Sequence, residues 1–221
     1  MGKIQIHRAG LTVSASNAEM ADLSKQFQQQ HAIVLEQFVE PGLLAQVQEA
    51  VDRAEFVPRR HGDLGLELCM TEESLAIHML QLLTNTPRVF ALMERITGCP
   101  TIGYYEGRIY RLPPSPEFFD KWHNDLYPGR QAGMSINLGA EPYRGGLFEL
   151  REGGKLRFRA ANTVPGNALL FSIQKGLKHR VTAVEGATPK TAFAGWFLDT
   201  ASKKPYVELL RDAVSPKIVR C

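Results

Sequence analysis

The chain has 221 residues, 44% hydrophobic and 22% charged, the composition of an ordinary globular protein, and its net charge of +3 is too slight and too scattered to define a nucleic-acid surface. No apolar run is long enough to span a bilayer, no positive-then-apolar leader opens the chain, and Cys69, Cys99 and Cys221 lie too far apart for a disulfide framework or a thiolate metal site. One domain over 1–221, in a reducing cytoplasm and without a nucleic-acid or membrane partner, is the expectation.

The first half reads as helical. Asn17 caps a helix whose Met20, Leu23 and Phe27 share a face, and His31 to Leu35 forms a short buried strand. Pro41 suits the first position of a second helix, followed by Leu44, Val47 and Val51 at helical spacing. Thr71, with Glu72 and Glu73, opens a third helix that turns Leu75, Met79, Leu82 and Leu83 to the core. Thr86-Pro87 opens a fourth, carrying Val89, Leu92, Met93 and Ile96 and ending at Gly98. Between the second and third helices, residues 57–70 lack periodicity and include Pro58, Arg59, Arg60, His61, Gly62 and Gly65, which marks a lid or binding loop.

After Gly98 the period changes to alternation. Short β-like runs fall near 101–112, 132–138, 146–151, 155–160, 167–172, 177–184 and 191–198, separated by Gly, Pro and Asn clusters such as Gly145-Gly146 and Pro165-Gly166-Asn167. Many short strands with regular turns indicate a sandwich or barrel. The fold class is therefore α+β: a jelly roll over 99–200, a helical leader with the loop over 1–98, and a tail over 201–221.

One segment carries chemistry. In Trp122-His123-Asn124-Asp125, positions i and i+2 of a strand point to one face, so an imidazole and a carboxylate would enter the same cavity. A third ligand must come from a distant strand, and His179 in Leu177-Lys178-His179-Arg180-Val181 lies on one. Two imidazoles and a carboxylate on one face of a metal leave coordination positions open, which suits non-haem Fe(II). His7, His31, His61 and His78 lack such company and read as structural or surface residues. Trp122 and Trp196 read as packing groups. Arg108 has the parity to meet an anionic substrate, though a surface ion pair is the commoner fate, and Asn137 is either an inward polar contact or part of a strand-end turn.

From about Tyr104 to Asp199 the chain resembles the Fe(II)/2-oxoglutarate dioxygenase superfamily, above all its prolyl-hydroxylase-like and phytanoyl-hydroxylase-like branches. The matching elements, in order, are the Tyr110 strand, His123-Asn124-Asp125, Gly145-Gly146 leading into Leu147-Phe148-Glu149-Leu150, Pro165-Gly166 before Ala168 to Phe171, His179-Arg180-Val181, and Gly186, Lys190 and Trp196-Phe197. The resemblance implies a double-stranded β-helix with packed N-terminal helices. It also implies Fe(II) on His123, Asp125 and His179, with 2-oxoglutarate as co-substrate bound through Lys190 and Tyr110. The partners are then O2 and a small-molecule or peptidyl substrate, oxidised as the keto acid is converted to succinate and CO2. The family's usual basic residue near the end is Arg, whereas Lys190 stands six positions before the Trp-Phe pair, and Arg180 is the rival anchor. Halogenases of the family lack the carboxylate that Asp125 provides, so hydroxylation, or desaturation or ring closure by the same oxidant, is implied instead. The alternatives are a cupin-like metal enzyme without 2-oxoglutarate, although no His-x-His pair occurs, and a non-catalytic jelly-roll binding protein.

Overall fold

The computed structural model describes residues 2–71 and 74–199, so Glu72, Glu73, Cys221 and the 201–221 tail lie outside the described residues. A hairpin of β1 (Ile4–His7) and β2 (Gly10–Val13) leads into α1 (Asn17–Gln30). The cap of α1 is Ser16, one residue before the Asn17 expected from sequence. Ser16 Oγ accepts from Glu19 N, and the Glu19 carboxylate accepts from Ser16 N, so two otherwise orphaned donors are satisfied reciprocally. Next come β3 (Ala32–Leu35) and α2 (Pro41–Asp52), with Pro41 in the first turn as expected.

Residues 57–70 are not an irregular loop. They form β4 (Phe56–His61) and β5 (Gly65–Met70), an antiparallel hairpin in register from Phe56↔Met70 to His61↔Gly65. Two features hide it from a periodicity reading. β4 is an edge strand, half-buried only at its ends, where Pro58 is tolerated and no apolar alternation is needed. On β5 the buried face carries the polar Glu67, while Leu66 and Leu68 stand on the half-exposed one.

The third helix also departs from expectation. α3 (Leu75–Thr84) is capped by Ser74 rather than Thr71, and Leu75 and Leu82 are 67% and 48% exposed. Its buried face is Ala76, Ile77, Leu80, Gln81 and Thr84, while Met79 and Leu83 pack partly against the core. Polar groups sit inward because they are bonded: Gln81 Nε2 donates to Gly107 O at 2.9 Å and Thr84 Oγ1 to Leu80 O at 2.7 Å. α4 (Pro87–Thr97) ends on Gly98 in the left-handed conformation (φ 69°), as its sequence requires.

The remaining strands are β6 (Ile102–Leu112), β7 (Phe119–Asp120), β8 (Arg130–Asn137), β9 (Arg144–Gly145), β10 (Phe148–Glu152), β11 (Lys155–Ala160), β12 (Ala168–Ser172), β13 (Leu177–Val181), β14 (Val184–Glu185) and β15 (Lys190–Asp199). The large sheet runs β3-β12-β8-β15-β6-β5-β4, with β7 also paired to β5, and faces a smaller sheet β11-β10-β13. Together they make the curled jelly roll expected from the strand pattern. The helices cover the large sheet, burying Met20, Phe27, Leu43, Val47, Leu80, Met93 and Ile96 against Tyr105, Ile109, Met134, Ile136, Phe193 and Phe197. Inside the roll two smaller apolar clusters form, one around Phe148, Leu150, Leu169 and Phe171, the other around Tyr110, Leu112, Tyr143 and Ala192.

β15 packs tightly on its neighbour β6. A Cβ at Gly195 would lie 1.8 Å from Glu106 O and 2.5 Å from Gly107 Cα, backbone atoms that cannot turn aside. Gly195→Ala should therefore cost about 1–3 kcal/mol, as other forced insertions into packed sites do; a lowered urea midpoint is the expected reading, and an unchanged one would show that the strands separate freely.

Candidate active site

His123 lies just beyond β7 and is not part of a continuous strand. It forms one antiparallel bridge with His179 on β13, in which His123 N donates to His179 O at 3.0 Å and His179 N to His123 O at 2.8 Å. This exchange sets the two imidazoles side by side, with ring centroids 4.3 Å apart. Asp125 completes the group: its Oδ1 is 3.6 Å from His123 Nε2 and its Oδ2 3.4 Å from His179 Nε2. One ligand atom from each of the three residues lies within 4.8 Å of the others. Burial works to raise the Asp125 carboxyl, but bonds from His179 and Trp196 and the nearby imidazoles outweigh it and hold the group well below the usual carboxylate range. The site thus presents an ionised carboxylate and two imidazole nitrogens to one point, a donor set able to bind ferrous iron.

The surroundings fix these groups. His123 Nδ1 is 2.7 Å from Lys121 O and 3.3 Å from Asp120 Oδ1, which turns Nε2 toward Asp125. Asp120 Oδ2 in turn accepts from Val181 N at 2.7 Å. Phe148 stacks on the His179 ring at 5.5 Å between centroids, and Phe171 lies against it at 4.7 Å. Trp196 Nε1 donates to Asp125 Oδ2 at 2.7 Å. That corrects the reading of Trp196 as packing alone. A signal was available: Trp196 is an even number of residues from Lys190 on one strand, so the two share a face.

A cavity of about 540 Å³ opens between the sheets, and its walls include His123, Asp125, His179, Tyr110, Asp120 and Lys190. Lys190 is 3% exposed, and Nζ reaches Gly146 O at only 3.5 Å. Burial lowers its pKa to about 8 against the opposing pull of the Asp120 carboxylate. Arg180 does not line the cavity. It pairs with Glu149 at 2.8 Å and lies over the Trp122 ring at 4.7 Å, on the other face of β13. Trp122 is held between Arg180 and Arg151, 4.2 Å from its ring, in a packing role.

The β4–β5 hairpin forms another wall, and here sequence reasoning missed a network. Arg108 Nε and Nη2 bind Glu67 Oε1 and Oε2 at 2.6 and 3.1 Å, and His61 Nε2 lies 2.9 Å from Glu67 Oε1. His61 therefore has a partner, and the Arg108 pair is half-buried, with Glu67 as its buried member. Asn137 belongs to a strand-end turn, its Oδ1 accepting from Gly139 N at 2.9 Å, and it does not line the cavity.

No protein-family model and no curated protein matches the sequence. Solved structures do match the fold. A Burkholderia pseudomallei oxidoreductase of the 2OG-Fe(II) oxygenase family is 17% identical, with 90% of this chain and 96% of that one covered and a TM-score of 0.63. A Pseudomonas putida prolyl-4-hydroxylase is 14% identical over 81% and 98%, at 0.61. The non-heme alpha-ketoglutarate-dependent epimerase SnoN of nogalamycin biosynthesis is 14% identical over 83% and 82%, also at 0.61. These likenesses establish that the chain has the jelly-roll fold of such oxygenases.

Trp196→Phe should keep the ring and remove the bond to Asp125. Loss of such an outer partner typically weakens metal affinity about 10–100-fold. Titration with Fe(II) under anaerobic conditions, or with Co(II), is expected to show that loss; unchanged affinity would make the indole a packing group after all.

Proposed function

We propose that the protein is an Fe(II)- and 2-oxoglutarate-dependent oxygenase that hydroxylates an unactivated C–H bond of a small molecule or peptidyl residue and releases succinate and CO2. The observation that carries this is a single cavity shared by the convergent His123, Asp125 and His179 and by the buried, under-partnered ammonium of Lys190. Ferrous iron held by the triad would supply open coordination positions for O2, which is the oxidant, while the keto acid would give the balancing two electrons as it loses CO2.

The rest is done by the chain. Lys121 O and Asp120 orient His123, Trp196 orients Asp125, and Phe148, Phe171 and Leu169 keep that end of the cavity apolar. Lys190 is suited to the far carboxylate of 2-oxoglutarate, because a buried cation gains most from an anion that reaches it without water. Tyr110 offers a hydroxyl on the same inner wall. A metal enzyme that used no keto acid, or a binding protein, would have no need of that ammonium. One structural relative is an epimerase, so the fold accommodates more than one outcome; the Asp125 carboxylate favours hydroxylation, or desaturation or ring closure by the same oxidant, over halogenation. A cavity of about 540 Å³ must hold both substrates, which favours a small molecule or one side chain of a peptide. Unpaired Cys69 and Cys99 accord with a reducing cytoplasm.

Succinate release in a metabolite screen is the direct assay, and His123→Ala or Asp125→Ala should abolish it; full Fe(II)-dependent turnover in His123→Ala would refute the assignment. Lys190→Met removes one member of a buried charge pair, a loss of about 3–5 kcal/mol, and so should weaken 2-oxoglutarate binding roughly a hundredfold or more while metal binding survives. Lys190→Arg should retain part of the function. pH supplies a second check. Free Lys190 is charged below about pH 8, so 2-oxoglutarate affinity should fall as pH rises through that value, because binding must then take up a proton. Calorimetry across pH 6–9.5 should show this in the wild type and not in Lys190→Met.

A further inference from the structure

The cavity wall away from Lys190 is rich in guanidinium groups. Arg59 comes from β4, Arg108 from β6 and Arg130 from the start of β8, and all three line the same space as the triad. Arg130 Cζ lies over the Trp196 ring, 3.4 Å from its centroid, and Arg108 approaches the same ring at 5.6 Å. The two cations repel each other, and each is only partly exposed, which favours a counter-charge beside it. Arg108 has one in Glu67, which occupies its Nε and Nη2. Arg130 has none as close: Asp125 Oδ1 is 4.0 Å from Nη1, and the nearest bond is a 3.5 Å contact to Asp125 O. The Asp125 carboxylate is also the group that a metal would claim, which leaves Arg130 without an anion of its own beside the reaction centre.

We propose that the substrate is a small molecule bearing one carboxylate, held by the Arg130 guanidinium over Trp196 with Arg108 and Arg59 behind it; this rests on the oxygenase reading above. Contact with the indole face restrains the Arg130 guanidinium, whose planar fork suits bidentate recognition of a carboxylate. The pairing of these groups points to a monoanion. Among the described residues of this wall Arg108 is matched by Glu67 and Arg59 is exposed to solvent, so Arg130 is the guanidinium left to a ligand, a single unmatched positive charge. A phosphate, at roughly −1.5 to −2, would overshoot it. Trp196 thereby couples the two ends of the site, touching the metal carboxylate by its N–H and the substrate anchor by its face.

The test uses the protein loaded with Zn(II) and 2-oxoglutarate, which is diamagnetic and does not turn over. Hexanoate, N-acetyl-leucine and a free-acid tripeptide are compared with hexanamide, N-acetyl-leucinamide and the tripeptide amide by ligand-observed NMR. The acids should bind at least tenfold more tightly than their amides. Arg130→Gln should bring each pair within about twofold while retaining Zn(II), and Arg130→Lys should keep part of the preference. A preference confined to the tripeptide would place the carboxylate at a peptide C-terminus and overturn the small-molecule source. Acids and amides binding alike, hexyl phosphate binding better than hexanoate, or a preference that survives Arg130→Gln would overturn the proposal. The co-substrate is titrated first. Its failure to bind the Zn(II) protein would sink the oxygenase reading, whereas its binding without acid preference sinks only the substrate class.

Discussion

The site depends on one backbone contact, the reciprocal pair of hydrogen bonds between His123 and His179. No long strand holds His123; the segment before it is pinned by β7 against β5, and the segment after it by Arg130 entering β8. Within that span the single bridge to β13 sets the register. Slipping it by one residue would turn a histidine to the opposite face and bring Arg180 or Lys178 inward instead. β13 is itself registered by β10, where Leu150 faces His179 and Glu149 faces Arg180. The Glu149 carboxylate, bonded to both Arg159 and Arg180, keeps the charged residues of the small sheet on the outer face while His179 stays inside.

A second constraint is electrostatic. The roll interior holds Asp120, Asp125, Glu67, Lys190 and Arg108 within or beside one cavity, and such charges persist only when partnered. Most are. Glu67 is shared by Arg108 and His61, and Asp120 takes a backbone N–H and faces an imidazole. Two cations are less well matched, Lys190 at one end and Arg130 at the other. They bracket the triad, and in the reading developed above they face the two organic molecules that the reaction brings together.

Much of this was legible in the sequence. The change from helical to alternating period after Gly98 announced the jelly roll, because each inner strand alternates between a helix-facing apolar residue and a cavity-facing one, as Phe193 and Phe197 do against Ala192 and Trp196. The same parity joined His123 to Asp125, although a single bridge rather than a strand keeps it. What could not be read were polar residues on buried faces. Glu67 disguised β5 as a loop, and Gln81 and Thr84 rotated the apparent core face of α3. Hydrophobic periodicity assumes that inward means apolar, and it fails where an inward residue is satisfied by a partner from a remote strand. Glu67 meets Arg108, 41 residues away, and Gln81 meets Gly107, 26 away; neither pairing has a local signature. Trp196 escaped for a related reason, since its ring packs while its N–H holds the Asp125 carboxylate.

His123, Asp125 and His179 share one cavity with Lys190, the arrangement proposed to hold iron beside the keto acid. The most direct measurement is anaerobic optical titration of the Fe(II)-loaded protein with 2-oxoglutarate. A visible metal-to-ligand charge-transfer band should appear, saturate at one co-substrate per iron and be absent from His179→Ala. No band in the wild type, or the same band in His179→Ala, would contradict the assignment.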